Sequence, residues 1–328
     1  MTDSQTILSA VDVSKRFTLK RTPAATAGIL TAVDKVTLEL TRGQTMGIAG
    51  ESGCGKSTLG KILSGLMQPN QGKIRYMGED LAEMSPDAYR KFRLQTQMIF
   101  QDPFSSLNPR MRIGDIIAEP LVVTRSGSAA TRRSAVETLM ATVGLSPEFY
   151  DRFPHEFSGG QRQRIGIARA LAPSPAIIVA DEPVSALDVS IQAQIINLLL
   201  EMKEAYNLSL VFISHDLSVL RHVCDWISIM YLGSIVERAP AHLLFQRCLH
   251  PYSEALLAAV PRISTIDSPQ PVLLKDDLPS PLAIPSGCRF HTRCRYARDI
   301  CKHEAPDLEW KRPDHQAACH FSEELFLS

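Results

Sequence analysis

With 328 residues, the chain is long enough for one large domain plus an appendage, or for two modest domains, and its 45% hydrophobic content can fill a sizeable core. Lys and Arg total 35, as do Asp and Glu, so net charge gives no general attraction to nucleic acid or to an anionic membrane surface. No stretch approaches the roughly 20 apolar residues that span a bilayer, and the start "MTDSQTILSA" lacks a basic segment followed by an apolar one, so the expectation is a chain kept in the cytoplasm that meets a membrane only through a partner.

From Ile7 to about Leu257, short apolar runs alternate with helical periods, the pattern of an α/β domain. "TMGIAG" (45–50) predicts a buried strand ending at Gly, and "LGKILSGL" a helix soon after it. The stretch 103–157 carries mostly helical signals and turn residues, and reads as a helical lobe inserted into the sheet domain. Within it, "TRRSAVETLMATVGL" puts Val136, Leu139, Met140 and Val143 on one face, with Gly144 as a C-cap. "AIIVAD" (176–181) and "LSLVFISHD" (208–216) predict two more strands with polar ends, and between them "IQAQIINLLLEMKEAYN" predicts a helix burying Ile191, Ile195, Leu198, Leu199 and Met202. "ISIMYLGSIVE" (227–237) reads as two strands about a Gly turn. Strands ending at polar residues suit a doubly wound sheet, whose sites lie at the carboxyl ends of strands.

The chemistry concentrates at those ends. "GESGCGKST", residues Gly50, Glu51, Ser52, Gly53, Cys54, Gly55, Lys56, Ser57 and Thr58, fits a phosphate-binding loop between a strand and a helix. Small residues let backbone N–H groups point at phosphate oxygens, Lys56 supplies a point charge to the β and γ phosphates, and the Ser57 hydroxyl suits Mg2+. Asp181 stands where a carboxylate can hold the magnesium shell, and Glu182 follows at once, placed to orient or deprotonate an attacking water. His215 and Gln101 also follow apolar runs, which favours a γ-phosphate sensor at the first over a structural His. "EFSGGQRQR" (156–164) is a second helix start with unpaired N–H groups suited to an anion. A single chain thus carries two phosphate-facing helix starts.

Together these stretches resemble the nucleotide-binding subunits of ABC transporters over about 250 residues: "GESGCGKST", the Q-loop "FQDP", the signature "FSGGQRQR", the Walker B run "IIVADEP", the D-loop "SALD" (185–188) and the "SHD" switch, in matching order. The resemblance implies an ABC-type α/β nucleotide-binding domain at 7–258 with a helical subdomain at about 103–170. It also implies ATP and Mg2+ as cofactors, with Mg2+ held through Ser57, Gln101 and Asp181, and a Phe17 that stacks on adenine. In this family two cassettes pair head to tail, so Ser158, Gly159, Gly160 and Gln161 serve the partner's nucleotide, which accounts for the second helix start. The flanks "FQDPFSSLNPRMRIGDIIAEPL", "DEPVSALDVSIQAQIINLL" and "HPYSEALLAAVPR" are similar to the dipeptide/oligopeptide/nickel import family, and most to the second ATPase subunit of peptide importers. That implies a paralogous ATPase as partner, two permeases touched through the 102–120 region, an external binding protein, no nucleic acid, and a place on the cytoplasmic face of the inner membrane. The same machinery with nickel, glutathione or another small cargo is the nearer alternative; a non-transport ABC ATPase, which commonly has two cassettes or a coiled-coil insertion, is the farther one.

After about residue 260 the text changes. Six Pro in residues 260–287 read as a linker, and the whole of 259–328 as linker plus a cysteine motif. Cys288, Cys294, Cys301 and Cys319 crowd the last 41 residues with 5, 6 and 17 residues between them, which is not the CxxC spacing of zinc ribbons. The segment resembles the family's C-terminal motif, where four Cys can hold a [4Fe–4S] cluster. A zinc site using His291 or His320, and four reduced Cys in a packed knob, stay open beside it. Arg289, Arg293, Arg295 and Arg298 read as a solvated or cluster-neutralising face rather than a nucleic-acid contact.

Overall fold

The computed structural model describes residues 6–19, 28–102, 104–259 and 279–327. Residues 260–278, most of the expected linker, lie outside them.

In chain order the strands are β1 (Thr6–Leu19), β2 (Gly28–Thr41), β3 (Thr45–Ala49), β4 (Gln71–Tyr76), β5 (Glu79–Asp80), β6 (Thr96–Ile99), β7 (Ile177–Asp181), β8 (Ser209–Ser214), β9 (Trp226–Tyr231), β10 (Ser234–Pro240), β11 (Glu309–Arg312) and β12 (His315–Ala317). The helices are α1 (Lys56–Leu63), α2 (Pro86–Gln95), α3 (Ile113–Val123), α4 (Ala129–Thr142), α5 (Gly159–Leu171), α6 (Val189–Tyr206), α7 (Leu217–Val223), α8 (Ala241–Gln246), α9 (Pro251–Ala258), α10 (Ile300–His303) and α11 (Ser322–Phe326).

Two sheets result: an eight-stranded sheet in the order β11-β12-β10-β9-β3-β8-β7-β6, and an antiparallel one in the order β2-β1-β4-β5. The centre of the large sheet, β9-β3-β8-β7-β6, is parallel. Its strands read as unbroken apolar runs because both faces are covered. Alternate residues go to opposite cores. Ile178, Ala180, Leu210 and Phe212 pack with the helical lobe and α6, whereas Ile177, Val179, Val211 and Ile213 pack with α1 and the antiparallel sheet.

The predicted elements at 45–50, 176–181, 191–207, 208–216 and 227–237 are all present. α4 ends as expected, with Gly144 at φ 74. Two features were not expected. One is the antiparallel sheet. The other is the tail, where β12 pairs with β10 and extends the large sheet. Among the described residues no helix is long and apolar enough to cross a membrane.

Candidate nucleotide site

Four neighbouring parallel strands deliver the site. β3 runs into the glycine loop, β8 into His215, β7 into Asp181 and Glu182, and β6 toward Gln101. Their carboxyl ends lie side by side because the strands pair in register, Ala49 with Ser214 and Asp181 with Ile213.

The glycine loop needs its glycines at two points. A Cβ on Gly50 would lie 2.2 Å from the Met230 carbonyl oxygen, and one on Gly55, at φ +110, would lie 1.9 Å from that of Ala32. The loop packs so tightly on β9 and β2 that only Gly fits. Cys54 turns its side chain down into the apolar core, leaving only its backbone to face a ligand. Lys56 is 4% exposed, and its Nζ donates to the carbonyls of Gly50 (2.7 Å) and Glu51 (3.0 Å), closing the loop on itself.

Glu182 is the hub. Its carboxylate accepts from Gln101 Nε2 at 2.9 Å, lies 3.3 Å from His215 Nδ1 and 3.9 Å from Lys56 Nζ. It is buried and sits at φ +45, a conformation that non-glycine residues rarely adopt. Beside it, Ser57 Oγ donates to Asp181 Oδ1 at 3.0 Å. Burial raises the Asp181 carboxyl above the usual carboxylate range, against the Ser57 hydrogen bond. A hydroxyl and a carboxylate make a hard oxygen donor pair of the kind Mg2+ takes. An open cavity of about 670 Å³ is lined among others by Glu51, Gln101, Glu182 and His215; Lys56, Ser57 and Asp181 are not in its lining.

Not every expected residue lines that cavity. Phe17 is half-buried on β1, with Lys15 Nζ 5.6 Å from its ring centroid. The Ser158–Gln161 segment, also outside that lining, opens α5: Ser158 caps the helix and Gln161 returns a bond to the Ser158 N–H at 3.0 Å. Gly160 is packed closely, since a Cβ there would come within 2.6 Å of Ile191 Cγ2.

Comparisons with known proteins give the family. A profile of the ABC transporter family matches residues 33–185, and one of the oligopeptide/dipeptide transporter C-terminal region matches 236–301. The oligopeptide transport ATP-binding protein AppF of Bacillus subtilis is 49% identical over 322 residues, covering 97% of this chain and 98% of that one. The chain belongs to the ATP-binding subunits of ABC transporters. A second relative, the oligopeptide transport ATP-binding protein OppF of Salmonella typhimurium, is 51% identical and covers 85% of each chain. Among solved structures, a dimeric ATP-binding cassette in a post-hydrolysis state bound to ADP and Pi is similar at TM-score 0.63 and 28% identity, covering 71% of this chain and 98% of that one. As a member of this family the chain is an ATPase of the ABC type, with the α/β fold of its class.

The cysteine tail packs against the same site. Cys288, Cys294, Cys301 and Cys319 line one cavity of about 20 Å³ together with His250, His291 and His320. Burial pushes the Cys288 thiol up to about 12 and that of Cys294 up to about 11. Among the described residues no group of three or more His, Cys, Asp or Glu side chains is arranged to hold a single metal ion. The arginines are a solvated face only in part: the Arg295 and Arg298 side chains are 46% and 48% exposed, whereas Arg289 is half-buried and Arg293 buried. Each meets a carboxylate: Arg289 pairs with Asp34, Arg293 with Glu51, Arg295 with Glu254 and Arg298 with Glu324. The first two partners lie on β2 and in the glycine loop, so Arg289 and Arg293 dock the tail there. Residue spacing carries no signal of this, because Asp34 and Glu51 are each more than 200 positions from their arginines.

Proposed function

We propose that this chain hydrolyses ATP to energise import of di- and oligopeptides through a membrane complex. The observation that carries the reading is the meeting of four strand ends at Glu182, in a chain nearly half identical to peptide-transport ATP-binding proteins.

The residues divide the chemistry as follows. Backbone N–H groups of 50–58 and Lys56 bind the phosphates, Lys56 exchanging its two loop carbonyls for phosphate oxygens. Ser57, Asp181 and Gln101 would hold Mg2+, which when bound would neutralise charge on the phosphates. Glu182 accepts the proton of the attacking water, and His215 and Gln101 report the γ phosphate to the rest of the chain. Phe17 stacks on adenine. Ser158, Gly159, Gly160 and Gln161, which open α5, serve the nucleotide of a paralogous ATPase paired head to tail.

The same reading assigns 7–258 to the nucleotide-binding domain, 103–170 to its helical subdomain and 259–328 to the appended cysteine region. Two permeases dock on the loop around 102–120, where Phe104 is 60% exposed. An external binding protein supplies the cargo, and the assembly sits on the cytoplasmic face of the inner membrane.

For the tail we propose a [4Fe–4S] cluster. Four thiols with no carboxylate among them suit a soft, iron–sulfur donor set. Because burial keeps the Cys288 and Cys294 thiols protonated at neutral pH, ligation must displace protons and is weakened by acid. Protein purified without oxygen is expected to contain about four irons and equivalent sulfide. Zinc in place of iron, or no metal, overturns the assignment.

The transport reading is tested in cells lacking this chain, supplied in turn with labelled dipeptide, longer peptide, glutathione and nickel. Peptide uptake is expected to return with the wild-type chain but not with Glu182→Gln. That variant keeps the cavity and binds ATP, but an amide cannot accept the water's proton, so turnover falls by about 10² to 10⁴. Loss confined to nickel or glutathione replaces the cargo. Near-normal hydrolysis by Glu182→Gln removes the role given to Glu182.

A further inference from the structure

A carboxylate lies in the phosphate loop. Glu51 is the second residue of 50–58 and lines the nucleotide cavity. Its charge has the same sign as the phosphates expected there. Its backbone N–H does not offset this, because it donates to the Tyr252 hydroxyl at 2.9 Å. Left alone, such a side chain repels the ligand.

The tail supplies the answering charge. Arg293 grips Glu51 in a two-pronged pair, Nη1 to Oε2 at 2.6 Å and Nη2 to Oε1 at 3.0 Å. The Arg293 side chain is 4% exposed and that of Glu51 26%, so water screens the pair poorly from one side. The fork is held in place from behind. The Arg293 N–H donates to the Phe290 carbonyl at 3.0 Å, and the Phe290 ring packs on Tyr231 and Tyr252, with centroids 5.3 and 5.4 Å away. The guanidinium carbon lies 6.0 Å from the centroid of the Tyr231 ring. Tyr252, which anchors the backbone of Glu51, therefore belongs to the ring cluster that anchors Arg293. Loop and tail are fixed by one set of contacts.

We infer that Arg293 is a positioning residue of the nucleotide site: by neutralising Glu51 and drawing its carboxylate aside, it lets the loop accept the phosphates of ATP. The inference rests on the reading of 50–58 as the phosphate loop. It gives the tail a part in ATP binding whatever its cysteines hold, although Arg293 directly precedes Cys294 in the chain.

The test is titration of the full-length chain with a fluorescent ATP analogue and Mg2+, paired with KM and kcat for ATP. Arg293→Met leaves Glu51 unpaired near the phosphates and is expected to weaken binding on the order of ten-fold, the size of a unit-charge repulsion across several ångströms of partly screened protein. The loss should appear mainly in KM. Removing the carboxylate as well, in Glu51→Gln with Arg293→Met, should recover most of the affinity. Arg293→Lys keeps the charge without the fork; it should fall between wild type and Met, and serves where the Met variant does not fold. Binding by Arg293→Met equal to wild type, or a double variant no better than Arg293→Met, overturns the inference, since a merely structural clamp is not rescued by deleting its partner's charge. Lys56→Ala separates the two readings. If it binds like wild type, the phosphate-loop reading fails and this inference with it. If it loses binding while Arg293→Met does not, only the inference fails.

Discussion

At the scale of single residues, two buried groups show how the site's surroundings are tuned. Glu182 holds a left-handed backbone angle that costs of order 1–3 kcal/mol, offset by its place among Gln101, His215 and Lys56. His250 holds a proton balance. It is 1% exposed, and its Nδ1 accepts from the Tyr252 N–H at 3.0 Å, capping α9. Burial drives its pKa down to about 3 from the usual 6.5, so the folded chain keeps it neutral. Between those values the unfolded chain binds a proton that the folded chain refuses. Stability from this group is therefore complete above about pH 6.5 and is lost as pH falls toward 3, at up to about 1.4 kcal/mol per pH unit. His250→Asn keeps an acceptor at the cap and removes the titration. Denaturant midpoints measured from pH 7 to pH 4 are expected to fall less steeply in the variant than in wild type. Parallel slopes would show that His250 is protonated in the fold.

At the scale of elements, what the sequence made legible follows from periodicity and punctuation. The helix at 191–207 was readable because Ile195, Leu198, Leu199 and Met202 recur at helical spacing, and all four are buried in α6. The strands feeding the site were readable as apolar runs stopped by Gly, Asp or His, since a parallel strand covered on both faces has no other pattern. The antiparallel sheet was hidden. β1 and β2 are each 14 residues long, with register shifts that break the alternation and Lys, Arg, Thr and Ser along the open face. β12 was hidden for a different reason: three residues carry no period, and its strand identity comes from pairing with β10. The site residues stood out because a phosphate loop needs fixed local spacing. The Arg293–Glu51 pair did not, because a salt bridge between distant segments leaves no local trace.

At the scale of the whole molecule, the question is whether the tail is a passenger. Three ties make it part of the fold. β12 pairs with β10 at Glu237 and Arg238 and carries β11 on the edge of the large sheet. His315 Nε2 meets the fully buried Glu237 carboxyl group at 2.7 Å, so removing the tail takes a hydrogen-bond partner from a polar group in the core. Phe290, 3% exposed, fills the space between Tyr231, Tyr252 and His250. If these ties couple the two parts, a cavity at Phe290 must weaken the whole chain. Phe290→Ala is expected to cost about 3–5 kcal/mol, and heating should still give one transition, moved as a unit. Followed by both Trp fluorescence and calorimetry, that outcome makes the tail a structural wall of the nucleotide site. Two transitions, with the larger one unmoved by the substitution, would make it a separately folding module, and the coupling of Arg293 to the phosphate loop would then have to survive on the ion pair alone.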